Sequence, residues 1–291
     1  MDYKDVLNIA GSELLKLKGQ TLNVVEIIRP PNIEYAIHLA KVISKLSPLV
    51  ANMIEFFLEE ELNKMDWKGN GIWVRQDPDF PDLLFKGSIQ PKPGFEIKTW
   101  FPLATEITAR FKDSVSAFGD DQTYICIVVW LPEFILYGKP KVIDVWIGSA
   151  KSLAIARDAH YHNPPDYLIF EPEDTSYRTK NLQQSNTNGY KFQSSSEKFQ
   201  EAIKEVDRWG ETGKIYNHTK EYQDKLKSLL MKYHYRLDTN FSKLDRIEHQ
   251  DLEKFKSKIL NTSISGHTIA EWSKVIANDE NIIKNLVEDI I

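Results

Sequence analysis

A single cysteine, Cys126, stands in a chain of 291 residues. Internal disulfides are therefore excluded. Cys126 falls inside the apolar run Tyr124–Leu131, which predicts a buried structural thiol suited to a reducing cytoplasm. The seven histidines show no His-x-x-x-His spacing with a third partner, so a histidine-based zinc centre has no support either. There is no Gly-x-x-x-x-Gly-Lys-Ser/Thr loop, no Gly-x-Gly-x-x-Gly after a strand and no Gly-x-Ser-x-Gly turn. Nucleotide-cradling loops and nucleophile elbows are excluded with them. No stretch approaches the ~20 uninterrupted apolar residues of a membrane-spanning helix. The start, Met1-Asp2-Tyr3-Lys4-Asp5, has no basic segment leading into an apolar one, so no secretory leader is expected. A soluble, cytoplasmic protein with no membrane partner is the expectation. Positive charge is in short supply, with a net charge of −5, which speaks mildly against a nucleic-acid partner unless the charge is unevenly spread.

Core-forming material is ample: 42% of residues are hydrophobic against 27% charged, a globular balance. The length allows one large domain or two modest ones at roughly 150 residues each. A first helix is read over Tyr3–Leu17, then a break at Gly19-Gln20, a brief strand over Leu22–Ile28 and a stop at Pro30-Pro31. From Glu34 to Lys64 apolar residues such as Leu39, Ile43, Val50, Ile54 and Leu58 recur at three- and four-residue spacing. That period predicts helix, kinked or divided at Pro48. Strands are expected at Ile72–Arg75, Tyr124–Leu131 and Val142–Ile147, then a helix to about His160. Later helices are read at Glu197–Trp209, Thr219–Tyr235, His249–Leu260 and Ala270–Ile290, each with an apolar stripe for packing or dimerisation. The result is an α/β protein, with a sheet and flanking helices over 1–170 and a largely helical region over 171–291 packed with it as one unit.

Chemistry concentrates in residues 80–100. Phe80-Pro81-Asp82-Leu83-Leu84-Phe85 reads as a short apolar strand opened by an aspartate, and Phe95-Glu96-Ile97-Lys98-Thr99-Trp100 as a second strand. Between them Gly87, Pro91, Pro93 and Gly94 make a turn. Glu96 and Lys98 are two apart, so both fall on one face of their strand, with Ile97 on the other. A hairpin brings Asp82 beside that face. Crowding two carboxylates is costly unless a cation sits between them. A hard divalent ion such as Mg²⁺, completed by water and a substrate phosphate, suits that pair. The plain alternative is a surface hairpin with an ordinary Glu/Lys pair.

The spacing Pro-Asp, thirteen residues, Glu-x-Lys resembles the PD-(D/E)xK nuclease superfamily, and more closely its type II restriction endonucleases of the EcoRV-like branch. The resemblance spans about residues 35–147. It implies a restriction-endonuclease-like core, a mixed central sheet flanked by helices, with Asp82, Glu96, Lys98 and Glu55 as catalytic residues. Mg²⁺, with Mn²⁺ as a substitute, is expected on Asp82, Glu96 and the carbonyl of Ile97. Lys98 is expected to orient or deprotonate the attacking water, or to stabilise the phosphorane. Glu55 is carried over as the helix glutamate that points into the metal site; with Glu59, Glu60 and Glu61 it reads equally well as a solvated acidic face. The implied activity is Mg²⁺-dependent, sequence-specific double-strand cleavage of DNA in a prokaryotic cytoplasm, by a homodimer that matches a palindrome. A cognate DNA methyltransferase is implied as a partner system. Two other readings stay open: a structure-directed repair or junction-resolving nuclease of the same superfamily, and a non-catalytic DNA-binding protein.

A second stretch, Tyr177–Gln193, has almost no aliphatic residues and no acidic ones. Arg178, Lys180, Asn181, Gln183, Gln184, Asn186, Asn188, Tyr190 and Lys191 are its candidate DNA-binding residues. Asn and Gln bond bidentately to adenine edges, and Arg and Lys to guanine or phosphate. From Tyr177 to Arg236 twelve residues are basic and seven acidic, a surplus of five that contrasts with the whole chain. A one-sided positive surface suits a grip on a phosphate backbone. The stretch is expected to be a recognition loop, resembling in position the one EcoRV-like enzymes carry after their catalytic core. A plain polar loop is the alternative. The polar segment 103–121, with Arg110, Lys112, Asp113 and Ser114, is read as a DNA-facing or surface connection.

Overall fold

The computed structural model of the chain describes residues 1–76, 79–103, 118–162, 168–172, 190–213, 219–233, 236–239 and 249–278. Helix α1 (Tyr3–Leu15) opens with a capping box: the Asp5 N–H donates to Asp2 Oδ1 and the Asp2 N–H to Asp5 Oδ2, each at 2.8 Å. Its buried side chains Val6, Leu7, Ala10 and Leu14 follow the helical period. The segment after it is not the strand expected over Leu22–Ile28. A turn at Asn23-Val24 interrupts the ladder, leaving only isolated bridges from Thr21 to Lys141 and from Ile27 to Gly138.

Helix α2 (Ile33–Val42) is capped by Asn32, whose side chain accepts the Tyr35 N–H. A 3₁₀ turn (Ile43–Leu46) leads into α3 (Ser47–Asn63). Pro48 sits in the first turn of α3, where its missing N–H costs nothing, so it divides the helical run instead of kinking it. Val50, Ile54, Leu58 and Leu62, four apart, form the buried stripe of α3. This stripe fixes the adjoining Glu55 near the sheet.

The sheet has five strands in sequence order: β1 (Gly71–Arg75), β2 (Leu83–Gly87), β3 (Gly94–Trp100), β4 (Thr123–Pro132) and β5 (Pro140–Ser149). Only β3 and β4 pair in parallel; the other neighbours are antiparallel, so the sheet is mixed. Strand β4 is buried along almost its whole length, which explains its unbroken apolar run. Cys126 is inside it and fully buried; burial pushes its thiol pKa up. Trp67, Trp73, Phe85 and Phe95 form an aromatic cluster with ring centroids 5.3 to 6.0 Å apart. Helix α3 packs on β1 and β3, and α1 on β4 and β5.

The chain divides into two compact units, Met1–Ala154 with His249–Ile291, and Ile155–Glu248. The division falls inside α4 (Ala150–His162), earlier than residue 170, and the C-terminal segment returns to the first unit. The second unit has a three-stranded sheet in the order β6 (Leu168–Pro172), β7 (Tyr190–Ser194), β8 (Arg236–Thr239), with β6 parallel and β8 antiparallel to β7. It also holds α5 (Ser196–Asp207) and α6 (Lys220–Tyr233). A strand at 190–194 corrects the reading of a loop up to Gln193. Tyr190-Lys191-Phe192-Gln193 alternates aromatic and polar residues, a strand period hidden by the polar composition before it. In the first unit α7 (Gln250–Leu260) packs on β5, and a two-strand ribbon, β9 (Ser263–Ile264) and β10 (His267–Thr268), leads to α8 (Ile269–Asn278). The rest of the helix expected to Ile290 lies outside the described residues. No helix among the described residues is long and apolar enough to cross a membrane.

Candidate active site

The β2–β3 ladder is short, pairing Leu83 with Phe95 and Leu84 with Gly94. One step further the register would set Asp82 against Glu96, and there the chain turns away. Pro81 has no N–H to extend the ladder. Its carbonyl accepts the side-chain N–H of Gln76 at 3.1 Å, while the Gln76 backbone N–H donates to the Asp82 carbonyl at 2.8 Å. The Ile97 N–H, released from the ladder, donates instead to Asp82 Oδ2 at 2.7 Å. The Asp82 N–H donates to Glu96 Oε2 at 3.3 Å. A side chain thus replaces the missing strand partner, and this fixes Asp82 in the gap where β2 leaves β3.

Gly94 permits the approach. A Cβ there would lie 2.4 Å from Pro81 Cγ and 3.0 Å from the Leu83 carbonyl oxygen. Only a residue without a side chain lets β3 pass so close to Pro81.

Lys98 closes the cluster. Its Nζ donates to Glu96 Oε1 at 2.5 Å and to the Ile97 carbonyl at 3.0 Å, and lies 3.6 Å from Asp82 Oδ2. Glu96 is 8% exposed. Burial, the largest influence, pushes its carboxyl up to about 7; Lys98 opposes the rise and the charge of Asp82 adds to it. Burial also works against the charged form of Lys98, but Glu96 and Asp82 outweigh it and hold the ammonium above its usual range. Asp82, Glu96 and Lys98 therefore come together on one hairpin, each within hydrogen-bond or ion-pair reach of the next.

Glu55 approaches from α3. Its Oε2 accepts from Arg75 Nε at 3.2 Å and pairs with Arg75 Nη2 at 3.2 Å. Burial raises its carboxyl pKa, Asp82 adds to the rise and Arg75 opposes it, with a smaller contribution from Lys98. It is thus within electrostatic range of the cluster, yet its hydrogen bonds go to Arg75. Arg75 was missed in the sequence. It closes β1, donates also to Asn52 Oδ1 at 3.2 Å, and stacks over Phe56 at 4.5 Å. The available signal was an arginine ending an otherwise apolar strand, since a half-buried guanidinium demands a carboxylate.

Among the described residues no three His, Cys, Asp or Glu side chains converge as metal ligands. The hairpin offers two carboxylates and the Ile97 carbonyl, an all-oxygen set. That set suits a hard ion that keeps waters and takes substrate phosphate, and not one that needs an all-protein cage. Arg178, Lys180, Asn181, Gln183, Gln184, Asn186 and Asn188 lie outside the described residues, as do Arg110, Lys112, Asp113 and Ser114. Tyr190 and Lys191 have their backbone on β7. Comparison with family models, curated proteins and solved structures finds no match for this chain.

Proposed function

We propose that the protein is a Mg²⁺-dependent nuclease of the PD-(D/E)xK kind, a type II restriction endonuclease that cuts double-stranded DNA at a specific sequence. The observation that carries this reading is the convergence of Asp82, Glu96 and Lys98 where β2 leaves β3. A helix, α3, packed against the same strands and a mixed five-stranded sheet support a restriction-endonuclease-like core.

Asp82, Glu96 and the Ile97 carbonyl are the groups that would hold Mg²⁺, with Mn²⁺ as a substitute. Such an ion, when bound, polarises a phosphodiester and acidifies water. The chain's own residues do the rest. Asp82 is locked by the Ile97 N–H, so its carboxylate is preorganised and pays little to reorient. Lys98 carries a proton on Nζ and stabilises the negative charge that builds on an attacked phosphate, or aligns the incoming water. Arg75 steadies Glu55 at the margin of the site.

Sequence specificity is assigned to the Tyr177–Gln193 stretch, a homodimer is expected because a palindrome is most simply matched by two-fold protein, and a protecting methyltransferase completes the system. The deciding experiment is digestion of phage DNA by purified protein with Mg²⁺, beside an EDTA control. Discrete EDTA-sensitive fragments support the reading. A smear favours a structure-directed nuclease of the same kind. Intact DNA on modified and unmodified templates overturns it in favour of a non-catalytic DNA-binding protein.

A further inference from the structure

The Lys98 ammonium touches the same three oxygens that the proposed cation would take: Glu96 Oε1 at 2.5 Å, the Ile97 carbonyl at 3.0 Å and Asp82 Oδ2 at 3.6 Å. Its side chain is 21% exposed, and those of Glu96 and Asp82 are 11% and 22% exposed, so solvent does little to screen a second positive charge placed among them. A divalent ion held by these oxygens would sit close to the Lys98 ammonium, and the two positive charges repel. We infer that Lys98 is an internal counter-cation that must swing away before a divalent cation enters. A phosphodiester, which offers the displaced ammonium new acceptors, then tightens cation binding. By thermodynamic reciprocity the cation tightens DNA binding to the same degree.

This rests on the cation site proposed above and adds a property of it: the site guards itself against the metal when DNA is absent. Charge balance explains why such a device holds. One ammonium faces the Asp82 and Glu96 carboxyl groups, while Glu55 is already engaged by Arg75. Removing Lys98 leaves an oxygen-rich, under-compensated pocket that a small divalent ion fills better than the wild type can.

The test is Mn²⁺ binding to the full chain without DNA, followed by electron paramagnetic resonance. Lys98→Gln and Lys98→Met are compared with Lys86→Met, which removes an exposed lysine on β2. Both Lys98 variants are expected to bind Mn²⁺ about tenfold more tightly or better, and Lys86→Met within about twofold of wild type. Affinity equal to or below wild type in a Lys98 variant with a cooperative thermal melt overturns the inference, as does no Mn²⁺ binding by any of them. A second measurement needs no variant. Acetic anhydride labelling of Lys98 in the wild type, mapped by mass spectrometry, is expected to rise when Mg²⁺ is added, and unchanged labelling overturns the inference. Its failure and that of the nuclease reading are distinguishable. Cleavage with no gain of affinity in the Lys98 variants sinks this inference alone, and cation competition without any cleavage sinks the nuclease reading alone.

Discussion

Asp82 Oδ2 accepts the Ile97 N–H at 2.7 Å, so a side chain closes the ladder between β2 and β3 at the point where their backbones part. The same carboxylate therefore has two duties, one structural and one chemical, and substitutions separate them. Asp82→Asn keeps an acceptor for the N–H, whereas Asp82→Ala leaves it without one, at a cost of about 1–3 kcal/mol. Cleavage falls by about a hundredfold or more in both, since neither supplies a charged ligand. Thermal melts beside plasmid cleavage check this. Equal stability in the two variants, or cutting by either at the wild-type rate, contradicts it.

Glu96 gives the protein a pH signature. Burial first, then the neighbouring charge of Asp82, carry its carboxyl from 4.5 in the unfolded chain up to about 7, against the opposing pull of Lys98. Between those values the folded state binds the extra proton, so this residue's contribution to stability declines as pH rises from the unfolded value through the folded one. Glu96→Gln cannot titrate. The melting temperature of Glu96→Gln minus that of wild type is expected to grow between pH 5 and pH 7 and to level off above that. A difference that is already level across this range would mean that Lys98 holds the carboxyl at or below its ordinary value.

Arg75 and Glu55 form an ion pair whose side chains are 15% and 17% exposed. Breaking such a pair from one side strands the other charge. Arg75→Ala is expected to lose about 2–3 kcal/mol, less than a fully buried pair because some solvent reaches it. Adding Glu55→Gln to Arg75→Ala is expected to recover part of that loss, a coupling that a double-mutant cycle of urea melts reads directly. Strict additivity of the two changes would show that they do not act as a pair.

Much of this hairpin was legible in the sequence because a strand period of two is unambiguous once Gly and Pro mark the turn. Asp82, Glu96 and Lys98 needed only the register to meet. Pro48 was legible as a break, and Tyr124–Leu131 as a buried strand. The three strands of the second unit were not legible. Two of them pair in parallel across a sequence gap, Leu168–Pro172 with Tyr190–Ser194, and local pattern carries no information about a partner so far away. Arg75 stayed hidden for the same reason: its carboxylate is twenty residues upstream on another element. The failure at Leu22–Ile28 is different in kind. The residues are strand-like and bond to the β5 side at both ends, the Leu22 N–H to the Pro140 carbonyl and the Ile27 N–H to the Gly138 carbonyl, but the turn at Asn23-Val24 interrupts the run between them.

Gly94 offers the sharpest check on how the site is positioned. An alanine there meets Pro81 Cγ at 2.4 Å and the Leu83 carbonyl oxygen at 3.0 Å. Neither neighbour is the yielding tip of a flexible side chain, and Pro81 is buried. The strain must move Pro81, and Asp82 moves with it. Gly94→Ala is expected to cost about 1–3 kcal/mol, the usual range for overpacking. Gly11→Ala is the control. Its new methyl meets Ile147 Cδ1 at an ordinary 3.5 Å, and alanine favours the helix it sits in. Stability alone does not locate the damage, so the decisive readout is hydrogen exchange at the Ile97 amide. If Pro81 carries Asp82 off its acceptor position, that amide loses protection well beyond the global loss, while the amides within β4 follow the global loss only. Uniform loss across β3 and β4 would mean that Gly94 serves the sheet as a whole and not the placement of Asp82.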